Sequence, residues 1–154
     1  MIAIDTNILV FAHRADMPQH QAALQALSML GASQQAWAIP WPCVHEFLAV
    51  VTGPAFKNHA TPLITALDAV DAWLTHANCT ALAESPGYLP VLSGLAQRAH
   101  LTGGAVHDAR IAAICIQHEV SELWTSDRDF QMFPDLRTRN PLIPALHEPV
   151  AQYR

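Results

Sequence analysis

Short apolar runs alternate along the chain with longer stretches of helical periodicity. Met1 to Ile4 is apolar, stops at the polar turn Asp5-Thr6-Asn7, and resumes as Ile8 to Ala12, the pattern of a buried strand feeding a helix. Ala22, Ala23, Leu24, Leu27 and Leu30 then keep helical spacing over 19–30, with Gly31 as the expected stop. A second strand is expected at 37–39. Pro42 suits the first turn of a helix running to Thr52, before Gly53-Pro54 ends it. Pro62 opens another helix to about Ala77, with Leu63, Leu67, Val70 and Leu74 on one stripe. Further segments are a strand at 80–83, a helix over 88–101, a largely apolar helix at 105–119 after Gly103-Gly104, a strand at 122–125 and an edge piece near 137–139.

Strands that alternate with helices imply an α/β fold, a parallel sheet of four to five strands sandwiched by helices. In such sheets ligands sit beyond the carboxyl ends of the strands, where the strand order reverses. Asp5 and Asp127 both fall at that end. With 154 residues and no repeat or linker, one domain over 1–154 is expected, large enough for a core without disulfides. Cys43, Cys79 and Cys115 are odd in number and widely spaced, which fits buried thiols in a reducing cytoplasm. No leader or membrane span is legible in the apolar runs, so no membrane partner is expected.

Charged residues are only 14% of the chain, so each acid in an apolar stretch stands out. On a helix, Asp108 shares its face with Ile111, Ala112, Cys115 and Ile116, where an ionised carboxylate must protonate, pair with a cation or bind a metal. Glu46 shares a face with Ala49, Val50 and Gly53, and only His45 and Lys57 are ionisable neighbours in sequence. Asp5 and Asp127 sit at the mouths of apolar strands. Each acid alone could be a turn residue or a partner of a helix dipole, but four converging on one sheet edge point to hard divalent cations. Two such ions about 3.5–4 Å apart stabilise both the attacking and the leaving oxygen of a phosphodiester displacement.

These pieces, IAIDTNILVFA, IPWPCVHEFLAVVTGP, GGAVHDARIAAICIQHEV and LWTSDRDFQMFP with RNPL following, resemble the PIN-domain nucleases, in particular the VapC-type toxins of toxin–antitoxin pairs. The resemblance spans nearly the whole chain. It implies a Mg2+- or Mn2+-dependent endoribonuclease cutting cellular RNA, often tRNA, held in check by a VapB-like antitoxin and commonly homodimeric. Asp5, Glu46 and Asp108 match the three principal acids of the family and Asp127 the more variable fourth, so these four are the expected catalytic and metal-binding residues. Asp129 is the alternative in the TSDRDF stretch, with Phe130 anchoring the loop. Asn7 is a further supporting candidate, beside Thr6, unless its side chain only caps the following helix.

The net charge of -5 runs against broad adhesion to nucleic acid, although bound cations and a basic set dominated by arginine temper that objection. Arg14, Arg110 and Arg128 are candidate phosphate contacts. His45-Glu46 lacks the second histidine of a zinc-protease helix, since position 49 is Ala. Two other functions remain open on the residues: a catalytically silent RNA- or protein-binding module, and a phosphoacceptor receiver-like signalling domain. The second needs a lysine near the phosphate, and the only lysine is Lys57.

Overall fold

The computed structural model describes residues 1–144. Five strands, β1 (Ile2–Ile4), β2 (Trp37–Pro40), β3 (Cys79–Leu82), β4 (Glu122–Trp124) and β5 (Thr138–Arg139), form one sheet in the order β3-β2-β1-β4-β5. Every pairing is parallel, with Ile2 opposite Trp37 on one side and Glu122 on the other. Among the described residues six helices accompany them: α1 (Thr6–His13), α2 (His20–Ala32), α3 (Trp41–Val51), α4 (Leu63–Leu74), α5 (Tyr88–Arg98) and α6 (Ala105–Gln117). Short 3-10 turns occupy Pro54–His59 and Arg128–Met132.

Alternation along β2 explains the two-sided cover. Trp37 and Ile39 enter the main core with Ile8, Phe47 and Leu123, whereas Ala38 points to the opposite face and packs with Leu82 and Ile114. Because both faces of the strand are buried, it reads in sequence as a continuous apolar run. The chain leaves β1 toward β2 on one side, and β4 docks on the other. The strand order therefore reverses between β1 and β4, and the carboxyl ends of these two strands frame the crevice.

Several element ends differ from the sequence reading. Gly31 does not stop α2, which runs to Ala32. A side chain at Gly31 would come within 3.3 Å of the His76 ring, so the glycine serves a close approach. The helices expected to reach 101 and 119 end at Arg98 and Gln117, because His100 and Glu119 adopt left-handed backbone angles, φ 52° and 53°. The apolar stripe of α4 is also rotated: Ala66 and Val70 are buried, while Leu63, Ile64 and Leu67 are exposed. All three cysteines are buried free thiols. Among the described residues no helix is long and apolar enough to cross a membrane.

Candidate active site

Asp5 follows β1 directly and is the N-cap of α1, with extended backbone angles (φ -81°, ψ 159°). Its amide donates to the Trp124 carbonyl at 2.9 Å, which ties the end of β1 to the end of β4. The carboxylate is 5% exposed and held from two sides. The Thr125 hydroxyl donates to Oδ2 at 2.7 Å, and the Cys43 thiol donates to Oδ1 at 3.7 Å from α3. Burial nevertheless dominates and pushes the Asp5 carboxyl up to about 6; the Thr125 hydrogen bond opposes this rise, and nearby Glu46 adds to it.

The other acids arrive from separate elements. Glu46 sits midway along α3, where its Oε2 accepts a 3.0 Å hydrogen bond from the Thr6 hydroxyl. Asp108 lies in the first turn of α6, half-buried, and its carboxyl is raised by burial and then by the negative charges of Asp127, Asp129 and Glu46. Asp127 caps the 3-10 turn after β4, its Oδ1 accepting the Asp129 N–H at 2.8 Å. Its own amide donates to Thr125 Oγ1 at 2.9 Å, so one hydroxyl links Asp5 to the Asp127 loop. Asn7 Oδ1 accepts the Ser126 N–H at 3.3 Å and pins the same loop to α1.

Asp5, Glu46, Asp108 and Asp127 line one cavity of about 210 Å³, together with Asn7 and Phe130. Carboxylate oxygens of Asp108, Asp127 and Asp129 lie within 4.8 Å of one another. Asp129 is exposed and absent from the cavity wall, so it reaches the cluster from the rim. A larger hollow, about 690 Å³ beside Met29, Trp124 and Leu142, contains no acid and offers none of this chemistry.

The structure revises two expectations. Glu46 does not interrupt a core face: it is exposed, as is Ala49, and it reaches the cavity from the rim of α3. Its neighbours His45 and Lys57 do not pair with it. Arg14 is no free phosphate contact, because it is nearly buried and bound to Asp16, the His59 carbonyl and Thr61. The sequence reading also missed Thr125 and Cys43. Thr125 looked like the last strand residue, and its signal was a hydroxyl two positions before an acid at a strand end.

The donor set fits a hard divalent cation. Among the described residues none of the five acids has a lysine or arginine salt-bridge partner, while the four ion pairs present use Asp16, Asp135, Glu84 and Glu122. Oxygen donors converging without a protein cation are what Mg2+ and Mn2+ require.

Comparison with known proteins agrees with this fold. The family model described as "PIN domain" matches residues 2–136. Ribonuclease VapC43 of Mycobacterium tuberculosis is 30% identical over 142 residues, 92% of this chain and 96% of that protein. The VapBC-1 structure from nontypeable Haemophilus influenzae superposes with a TM-score of 0.67 at 17% identity, covering 93% of this chain and 100% of that one. A toxin–antitoxin complex from Klebsiella pneumoniae gives 0.57 at 22% identity over 92% and 98%. With its parallel sheet, its acids at the ends of β1 and β4 and a family match across most of its length, the chain belongs to the PIN-domain family.

Proposed function

We propose that this protein is a divalent-metal-dependent endoribonuclease and the toxin of a toxin–antitoxin pair, with Asp5, Glu46, Asp108 and Asp127 as its catalytic and metal-binding residues. The observation that carries the proposal is the cavity where acids from four elements meet without a protein cation. The ribonuclease name of VapC43 and the toxin–antitoxin complex among the structural neighbours support the substrate and the partner.

Asp5, Asp108 and Asp127 would hold the metal, with Glu46 and Asp129 reaching it from the rim. When bound, Mg2+ or Mn2+ supplies an activated water and a Lewis acid for the phosphodiester oxygens. The protein's own contribution is orientation. Thr125 and Cys43 fix both oxygens of Asp5, Thr6 fixes Glu46, and the Asp127 cap sets the loop after β4. Phe130, 1% exposed, anchors that loop in the core and walls the cavity. Such pre-set ligands need no rearrangement when charge develops on the substrate.

A VapB-like antitoxin, a cytoplasmic location and a homodimer complete the proposal. The exposed Leu63, Ile64 and Leu67 on α4 are an apolar face suited to a second copy. A receiver-like role is disfavoured, because Lys57 sits in the 3-10 turn after α3 and does not line the acid cavity. The test is to incubate the purified chain with total RNA in Mg2+ or Mn2+, with EDTA and the Asp5→Ala and Asp108→Ala variants as controls. Discrete fragments that need metal and fall by about 100-fold or more in both variants are expected. Identical patterns in wild type and variants would refute the catalytic assignment and favour a silent binding module.

A further inference from the structure

Glu46 and Asp108 have a second side. Behind them lies another cavity, about 400 Å³, between the first turns of α3 and α6, and its wall adds His45, His107, Arg110 and Gly104 to the two acids. We propose that this cavity holds a backbone phosphate of the RNA strand adjacent to the one cleaved, through hydrogen bonds from His45, His107 and Arg110. The inference rests on the ribonuclease reading above and extends it to how the strand is gripped.

Three observations point to a phosphate. First, His45 and His107 are both exposed and make no side-chain hydrogen bond to any described residue, although each directly precedes an acid of the active cavity. The other histidines with structural tasks are visibly engaged: His13 with Thr61, His20 with the Phe11 carbonyl, His118 with the Ala83 carbonyl. A neutral imidazole still carries one N–H donor, so the grip does not depend on its protonation.

Second, Arg110 is anchored through Nε to Glu84, and its two terminal nitrogens have no partner among the described residues. A guanidinium held at one edge presents a fork to an anion at the other.

Third, the chain has few cations, and most are committed elsewhere. Arg14 is bound to Asp16 and Arg98 to Asp135, while Arg139 lies over the Trp124 ring; Arg137, held through Nε to Glu122 as Arg110 is to Glu84, precedes β5 and does not line this cavity. Of the arginines that remain among the described residues, Arg110 lines this cavity and Arg128, at the start of the 3-10 turn after Asp127, does not. Gly104, the N-cap of the thirteen-residue α6, brings the positive end of that helix to the same wall. The shared wall of Glu46 and Asp108 places the two occupants at neighbouring positions along one strand.

The test uses the full chain with the variants His45→Gln, His107→Gln and Arg110→Gln. Binding of a fluorescein-labelled single-stranded RNA is followed by anisotropy across a salt series in Mg2+. Each variant is expected to bind about 2- to 10-fold more weakly, and Arg110→Gln to lower the slope of log affinity against log salt by about 0.7. Mn2+ affinity and melting temperature, measured on the same samples, should match wild type. RNA affinity and salt slope equal to wild type in all three variants would overturn the inference. So would a parallel loss of Mn2+ binding, which would mean these residues shape the metal cavity instead. Inorganic phosphate is the second probe: if it shifts the imidazole carbon resonances of His45 and His107 as tightly as RNA does, the cavity is a free-anion site and the RNA assignment falls. Wild type that binds RNA in this way but cuts nothing would refute the catalytic reading and leave the phosphate grip standing.

Discussion

Helix α1 is eight residues long and ends in two opposite kinds of polar site. At its C-terminus, Arg14 is nearly buried yet fully engaged: Asp16 accepts from Nε and one terminal nitrogen, the other donates to the His59 carbonyl and Thr61, and the guanidinium lies 4.1 Å from the Phe56 ring centre. At its N-terminus, Asp5 is as deeply buried, but its partners are an alcohol and a thiol, and the nearest charges are other acids. The Asp16 carboxyl is lowered by its hydrogen bond to Arg14, whereas Asp5 and Asp108 are raised. One end of the helix is electrostatically complete and holds the fold together. The other lacks a cation, and that missing charge is the functional signal.

The largest expected effect breaks the complete end. Arg14→Ala leaves the His59 carbonyl without its donor, takes one of two partners from the Thr61 hydroxyl and removes the cation over Phe56, so unfolding free energy should drop by about 2–4 kcal/mol. Denaturant titration measures this. The loop at 54–59 should loosen first, because Arg14 is what ties it to α1. Metal binding at the other end of the helix should survive in the folded fraction, and its loss at low denaturant would show that the two ends are not independent.

The next effect has the opposite sign. Asp5 titrates at about 6 in the folded chain against 3.8 for the free side chain. Below about pH 3 the group is protonated in both states and costs nothing. As pH rises through the window to 6 the unfolded chain ionises first, and the metal-free protein loses up to about 3 kcal/mol of stability to this one group. Asp5→Asn should therefore raise the melting temperature of the metal-free protein at pH 7, with a gain over wild type that shrinks through pH 4 and vanishes toward pH 3. Added Mg2+ should stabilise the wild type and leave the variant unmoved. A variant less stable than wild type at pH 7 would mean that the Thr125 and Cys43 hydrogen bonds outweigh burial.

These two ends also explain what was legible in the sequence. The sheet was readable because β1 and β2 are buried on both faces and appear as unbroken apolar runs, and β4 keeps the apolar pair Leu123-Trp124 before its polar turn. Asp5 and Asp127 stood out at the ends of such runs. Glu46 was singled out from a premise the structure does not share: α3 presents it at an exposed rim, and the shared face with Val50 suggested a core position that does not exist. The rotation of α4 was hidden as well, since Leu63 and Leu67 keep helical spacing while the buried face is that of Ala66 and Val70. Asp16, two residues on, was a legible partner for Arg14, but the His59 carbonyl and Thr61 that complete its burial lie 45 and 47 residues away and were not. Thr125 was invisible for the same reason, since its partner Asp5 is 120 residues distant.

The smallest predicted effect sharpens the comparison within the acid cluster, between Asp127 and Asp129. Both have a carboxylate oxygen within 4.8 Å of Asp108 and of each other, but Asp127 is half-buried in the cavity wall and Asp129 is exposed at its rim. A charge acting through protein is screened less than one acting through solvent. Asn at position 127 keeps the oxygen that caps Asp129, so the loop should hold while the charge is lost. Asp127→Asn is expected to weaken Mn2+ binding about 10-fold or more, and Asp129→Asn only about 2- to 3-fold. Raising the salt should shrink the Asp129 effect further and leave the Asp127 effect nearly intact. In both variants Asp108 loses a neighbouring negative charge, so its carboxyl should titrate lower than in wild type, by more for Asp127→Asn. If the two variants weaken Mn2+ equally, or in the reverse order, the ion is held at the rim and Asp129 replaces Asp127 as the fourth acid of the site.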